Sequence, residues 1–160
     1  MYLTFRQLAK HIRDTIPDLT WIDRDKGQLE NTASYNSIIT PGALIDFDKI
    51  EWKGLSRGNQ SGISLVTVKL IFSLPSATHE GADWNEYEIF EQLSDTLYEQ
   101  LSGHPAIGDR RGSMDYFTES FYVAEQTFEL NLYQTKPIKT IPKPAPDITG
   151  TLSTTIQIPQ

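Results

Sequence analysis

Three histidines, His11, His79 and His104, come first when the chain is searched for chemistry, because an imidazole titrates near neutral pH and is a common metal ligand. They are far apart in sequence. His11 and Asp14 stand at i,i+3, and His79 with Glu80 and Asp83 can gather in a loop, yet neither set has a recognised metal-ligand spacing. Solvated polar side chains are the better reading of both, since perturbed surroundings and not proximity mark sites. Neither a metal nor a cofactor is expected. Asp46, Asp48 and Glu51 are the nearest approach to a carboxylate cluster, and such pairs do acid and base work when burial splits their pKa values. Asp46 and Asp48 share a strand face unless a bulge separates them, and alternation along a half-exposed strand explains them more simply. Gly54-Leu55-Ser56-Arg57-Gly58 has the letters of a nucleophile elbow, but that motif needs a helix after it, and here a strand is expected to follow. Gly54, Gly58 and Gly62 lack the lysine and hydroxyl partner of a phosphate loop and read as turn residues. Arg110-Arg111 is too short a basic run to indicate nucleic acid. An enzyme using Asp46 and Asp48, or Ser56, is therefore the least favoured function.

The elements that carry these residues are organised around 38–74. Two long strands are expected, Gly42 to Trp52 and Gly62 to Leu74, joined by the polar, glycine-containing loop Lys53 to Ser61. Val66, Val68, Leu70, Phe72 and Leu74 make one continuous apolar face of the second strand. The other face mixes Ile63, Leu65 and Ile71 with Thr67 and Lys69, so one face packs the core and the other is half covered. In the first strand Ile45 and Phe47 differ in parity from Ile50 and Trp52. A β-bulge near Asp48-Lys49 would return both pairs to the core.

Before this hairpin, Thr4 as N-cap and Gln7 form a capping box, with Leu3 and Leu8 as a hydrophobic staple. Phe5, Leu8, Ala9, Ile12 and Ile16 then make a helical stripe that Pro17 ends. Leu19 to Asp23 reads as a short strand, Asp25-Lys26-Gly27 as a turn, and Glu30 to Ser37 as a polar loop. After Pro75 a second helix is expected from about Trp84 to Ser102, with Asp83 as N-cap, Glu86 three residues on, the stripe Phe90, Leu93, Leu97 and Leu101, and Gly103 at C′. His104 to Ser113 reads as loop. Phe117, Phe121 and Val123 share one strand parity and Phe128, Leu130 and Leu132 the other. The switch at Ala124-Glu125-Gln126 is either a hairpin turn, the preferred reading, or a bulge in one long strand.

These elements make one α+β domain over 1–135: an antiparallel sheet built on the central hairpin and packed by two helices. Residues 136–160 change character, with Pro137, Pro142, Pro144, Pro146 and Pro159 in a Thr-rich stretch that cannot build a core. They read as an extended arm. Its segment Thr151 to Ile158, with Leu152, Ile156 and Ile158, is suited to adding a strand to an exposed sheet edge on another chain.

Composition bounds the function. The chain of 160 residues carries 14 basic and 21 acidic residues, a net charge of −7, the wrong sign for a protein that grips nucleic acid over a broad surface. Having no cysteine, it has no disulfides, thiol nucleophile or cysteine-based zinc site. No apolar run approaches a bilayer span and no secretory signal is seen, so no membrane partner is expected and synthesis in the cytoplasm is.

Trp21-Ile22-Asp23 followed by Gly27-Gln28-Leu29, Ala43-Leu44-Ile45-Asp46-Phe47 with Ile50-Glu51-Trp52, and Gly58-Asn59-Gln60-Ser61-Gly62, together with the order of elements, resemble the bacteriophage tail terminator and tail completion proteins. The likeness covers roughly 1–135 and leaves the arm outside it. It implies a non-catalytic virion protein of the tail or neck that forms a ring, caps the tail tube and meets the neck proteins through interface complementarity. The assembly surface expected is Lys53, Leu55, Arg57 and Gln60 at the hairpin tip, with Leu152, Ile156 and Ile158 on the arm. The alternative function is a small non-catalytic bacterial binding module.

Overall fold

The computed structural model describes residues 3–75 and 85–135. They form an α+β fold in which an open sheet of six strands is packed by two helices on one face.

The first helix, α1 (Phe5–Thr15), starts where the capping box places it. Thr4 Oγ1 accepts from the Gln7 N–H at 3.3 Å, and the Thr4 N–H donates to Gln7 Oε1 at 2.9 Å. Leu3 and Leu8 are both buried in one cluster with Ile12 and Ile16, as a staple and a single apolar stripe require. Strand β1 (Trp21–Arg24) runs parallel to β2 (Gly42–Phe47), so the sheet is mixed and not wholly antiparallel.

The long first arm of the hairpin is broken. It consists of β2 and β3 (Glu51–Gly54), which both pair with β4 (Gln60–Ser73). Phe47 opposes Val66 whereas Glu51 opposes Ile63, a slip of one residue that inserts the expected bulge between them. The Ser64 hydroxyl donates to the Asp48 carbonyl at 2.8 Å, giving a partner to a backbone group that the bulge takes out of the ladder. The bulge brings Ile50 onto the core. Trp52 remains 37% exposed and lies against Gly62, where an added Cβ would stand 2.9 Å from the indole. Leu74, expected on the apolar face, lies past the end of β4 and is exposed.

The second helix, α2 (Asn85–Ser102), buries Leu93, Leu97 and Leu101. Its expected N-cap Asp83 and expected first residue Trp84 lie outside the described residues. Gly103 follows it without entering the left-handed region.

Two expectations fail beyond α2. The stretch 104–113 is not all loop: β5 (Ile107–Phe117) begins within it as the sheet's edge strand beside β6 (Phe121–Gln134), in the order β1-β2-β4-β6-β5. Its side chains are mostly exposed and its register against β6 shifts at Arg110. Such a strand carries charge where a central one carries apolar residues, so the usual alternation is absent. The hairpin turn is Thr118-Glu119-Ser120, where Thr118 Oγ1 accepts from the Phe121 N–H at 3.0 Å. Ala124-Glu125-Gln126 sits mid-strand, in an unbroken ladder against Leu70, Lys69 and Val68. The parity switch arises because both faces of the sheet are covered at one end. Tyr122, Ala124, Phe128 and Leu130 join the helix-side core, while Phe121 and Val123 join a second cluster with Leu29, Ile38, Leu44 and Ile71.

That second cluster revises the 30–37 loop. It contains a 3₁₀ helix, Thr32–Ser37, and Tyr35 from it meets the Phe121 ring edge-on at 5.3 Å. Among the described residues, the sheet's second face is thus covered at one end only.

Candidate functional site

Lys53, Leu55, Arg57 and Gln60 are brought together at the tip of the β3–β4 hairpin, and all four are exposed. Lys53 pairs with Ser61 and Gly54 with Gln60, so the loop is shorter than the 53–61 expected. The turn is Leu55 to Asn59, closed by the Leu55 N–H to the Asn59 carbonyl at 2.7 Å. Arg57 takes φ 61° and Gly58 φ 78°, the left-handed pair of conformations that reverses the chain. Arg57 is an unusual residue for that region, and it is exposed. Leu55 is 43% exposed. The tip therefore offers two cations, an amide and an apolar side chain on a backbone held by a 3₁₀ turn, Ser56–Gly58. This can do recognition by contact and charge. Leu152, Ile156 and Ile158 lie outside the described residues.

The same turn decides the geometry of Gly54-Leu55-Ser56-Arg57-Gly58. It returns directly into β4, so Ser56 does not stand at the head of a helix as an elbow nucleophile does. Asp46, Asp48 and Glu51 are all exposed on the β2–β3 arm.

Two of the histidines that are far apart in sequence meet in space. His11 on α1 and His104 after α2 meet edge-on with ring centroids 5.0 Å apart. His11 Nε2 lies 3.2 Å from the Gln100 carbonyl, and His104 Nδ1 accepts from the Ala106 N–H at 3.2 Å. An accepting Nδ1 is unprotonated, so His104 is held neutral. Burial, then the neighbouring His11, push its pKa below the ordinary imidazole value. His11 lies within α1 and His104 just after α2, 93 positions apart in sequence, and no local spacing signals the contact. His79 with Glu80 and Asp83 lies outside the described residues. Among the described residues no group of three or more His, Asp or Glu side chains is placed to hold a metal ion.

A second missed constellation lies on the far sheet face. Lys69 Nζ is 2.8 Å from Asp25 and 4.0 Å from Glu125, beside Tyr116. Burial pulls the Asp25 carboxyl upward, but hydrogen bonds from Lys69 and the Gly27 N–H, with the lysine charge, outweigh it and leave its pKa below the ordinary range. Burial alone would lower Lys69, yet Asp25 holds it above its ordinary value. The pair fastens the 25–38 segment to the sheet. A third cluster, Glu91, Asp95 and Asp115 with Arg110 and Tyr122, lines an open groove of about 290 Å³ between α2 and β5.

The chain matches no family model and no curated protein sequence.

Proposed function

We propose that this chain is a ring-forming structural protein of a bacteriophage virion, which caps or completes the tail tube and joins it to the neck. What supports this is the projecting β3–β4 tip: residues 51–58 are all exposed, including Trp52 and Leu55, on a hairpin reached by an unbroken 14-residue strand. A rigid strand pair that carries apolar and cationic side chains beyond the core suits insertion into a neighbouring subunit. The mechanism is complementarity of surfaces, with no bond chemistry. The chain is acidic overall, and no helix among the described residues is long and apolar enough to cross a bilayer.

The test is deletion of Ser56 to Asn59 with a short replacement turn. The variant is expected to keep the wild-type circular dichroism and melting behaviour while losing the defined oligomeric mass of the full chain. An oligomer of unchanged mass and stability would make the tip a mere connection. The alternative, a small non-catalytic binding module, would give a monomer or dimer in both forms.

A further inference from the structure

β5 is the last strand of the sheet, and among the described residues its outer edge pairs with no other strand. The hairpin turn sets the direction of its backbone groups, because the Thr118 N–H donates to the Phe121 carbonyl at 2.8 Å. Hydrogen-bonded and non-hydrogen-bonded pairs alternate in an antiparallel ladder, so Tyr116, Met114 and Gly112 bond to β6. Phe117, Asp115 and Ser113 therefore turn their N–H and C=O groups outward, and among the described residues no backbone hydrogen bond meets them. The charged run Asp109-Arg110-Arg111, of the kind that guards an edge, lies where the register shifts. Gly112 to Phe117 pair regularly with β6 and leave a regular, open edge.

The same edge residues border the groove between α2 and β5. Their ladder partners Tyr122, Ala124 and Gln126 lie on the helix side of the sheet, and Ser113 and Asp115 line the groove with Glu91 and Asp95 of α2. Against these three carboxylates stands one cation, Arg110, whose guanidinium stacks over the Tyr98 ring at 4.2 Å. Asp115 accepts from the Tyr122 hydroxyl, and Tyr122 stacks with Phe90 at 5.3 Å, which gives the acidic groove an aromatic wall. Gln126 is only 2% exposed. Its amide N–H groups donate to the Ser94 carbonyl and hydroxyl at 2.7 and 2.8 Å, while its Oε1 meets no donor among the described residues. Ser94 and Ser113 both line the groove, and Gln126 is bonded to the first and opposes the second, so a buried acceptor in want of a donor adds to the carboxylates there.

We propose that this edge and groove bind an extended basic segment of a partner protein, which joins the sheet as a strand beside β5 and lays a lysine or arginine among Glu91, Asp95 and Asp115. Opposed residues of paired strands share a face. The partner residues that bond to Ser113, Asp115 and Phe117 thus send their side chains to the helix side, where the methylene stem of a lysine or arginine lies along the aromatic wall and its charge meets the acids. Backbone bonds supply the attachment and the carboxylates the selection. The chain's own tail separates these two requirements. Lys136, Lys139 and Lys143 fall among Pro137, Pro142 and Pro144, which cannot donate to a ladder, and the proline-free stretch 147–158 holds no cation.

The test uses the full-length chain and a labelled ten-residue peptide that alternates lysine with valine, titrated by fluorescence anisotropy. Two controls accompany it: the same peptide with glutamate for lysine, and the lysine peptide N-methylated at its lysines, the residues whose N–H groups must pair with β5. Saturable binding of the lysine peptide is expected, with both controls weaker by about tenfold or more. Glu91→Lys with Asp95→Lys, both at exposed positions of α2, is expected to weaken the lysine peptide by a similar factor at unchanged melting temperature. Equal binding of the N-methylated peptide would reduce the contact to general attraction by an acidic surface and overturn strand addition. No saturable binding by the full-length chain would overturn the proposal, and tighter binding of a labelled peptide of residues 136–150 would assign the groove to the chain's own tail. A self-association that the double charge reversal abolishes would assign it instead to a second copy. The proposal does not rest on the ring reading: an oligomeric mass that stays the same in the double variant leaves each to stand or fall alone.

Discussion

Lys69 illustrates how one residue holds two layers together. Its ammonium lies 2.8 Å from Asp25 on a face otherwise closed by Leu29, Ile38, Leu44 and Ile71. Removing Lys69 leaves the largely buried Asp25 carboxylate without its cation. Lys69→Met is expected to cost about 3 kcal/mol in denaturant unfolding, and adding Asp25→Asn should recover part of it. Asp25 has a folded pKa below its unfolded value, so its contribution is complete above about pH 4 and is lost as pH falls through the folded pKa. His104 acts in a higher window. Its folded pKa is also depressed, so the unfolded chain binds the extra proton and stability declines as pH falls below about 6.5. In His104→Asn, whose side-chain oxygen can still accept from Ala106, unfolding free energy measured from pH 7 to pH 5 should fall less steeply than in the wild type. An equal slope would mean that His104 is not the titrating group.

At the scale of elements, Gly42 fixes how closely β1 and β2 approach. A Cβ there would sit 2.4 Å from the Ile39 carbonyl oxygen and 2.9 Å from the Trp21 ring. The first is backbone and the second belongs to the residue paired with Gly42 across the ladder, so both must shift to admit a methyl group. Gly42→Ala is therefore expected to destabilise by about 2 kcal/mol or more, read from the denaturation midpoint at unchanged slope. Elements whose signals are local were legible from residue types: the Thr4/Gln7 box placed α1, and the parity change after Phe47 located the bulge. Elements defined by partners were not. β5 is written in Asp109, Arg110, Arg111 and flanking glycines because it is an edge. The mid-strand segment 124–126 looked like a break because Val123 and Phe128 serve opposite cores. Tyr35 gave too little apolar periodicity to reveal a 3₁₀ cover. Of the site, the tip residues could be found as a polar interruption between strands. The His11–His104 and Lys69–Asp25 contacts depend on tertiary approach and have no sequence spacing to betray them.

For the whole molecule, residues 1–135 hold the excess of acidic residues whereas residues 136–160 hold three lysines and one aspartate, a division of charge that favours contact between the two parts. Truncation after Thr135 is expected to leave a folded domain, since both cores lie within the described residues, and to impair assembly in light scattering. A truncated chain that assembles at wild-type strength would exclude the arm. The most direct measurement is electron microscopy of the purified full-length chain with its mass determined in the same solution. The expected result is a closed ring of cyclic symmetry whose mass is a fixed multiple of 18.1 kDa. A particle that stays at the mass of one or two chains at every concentration would contradict the account.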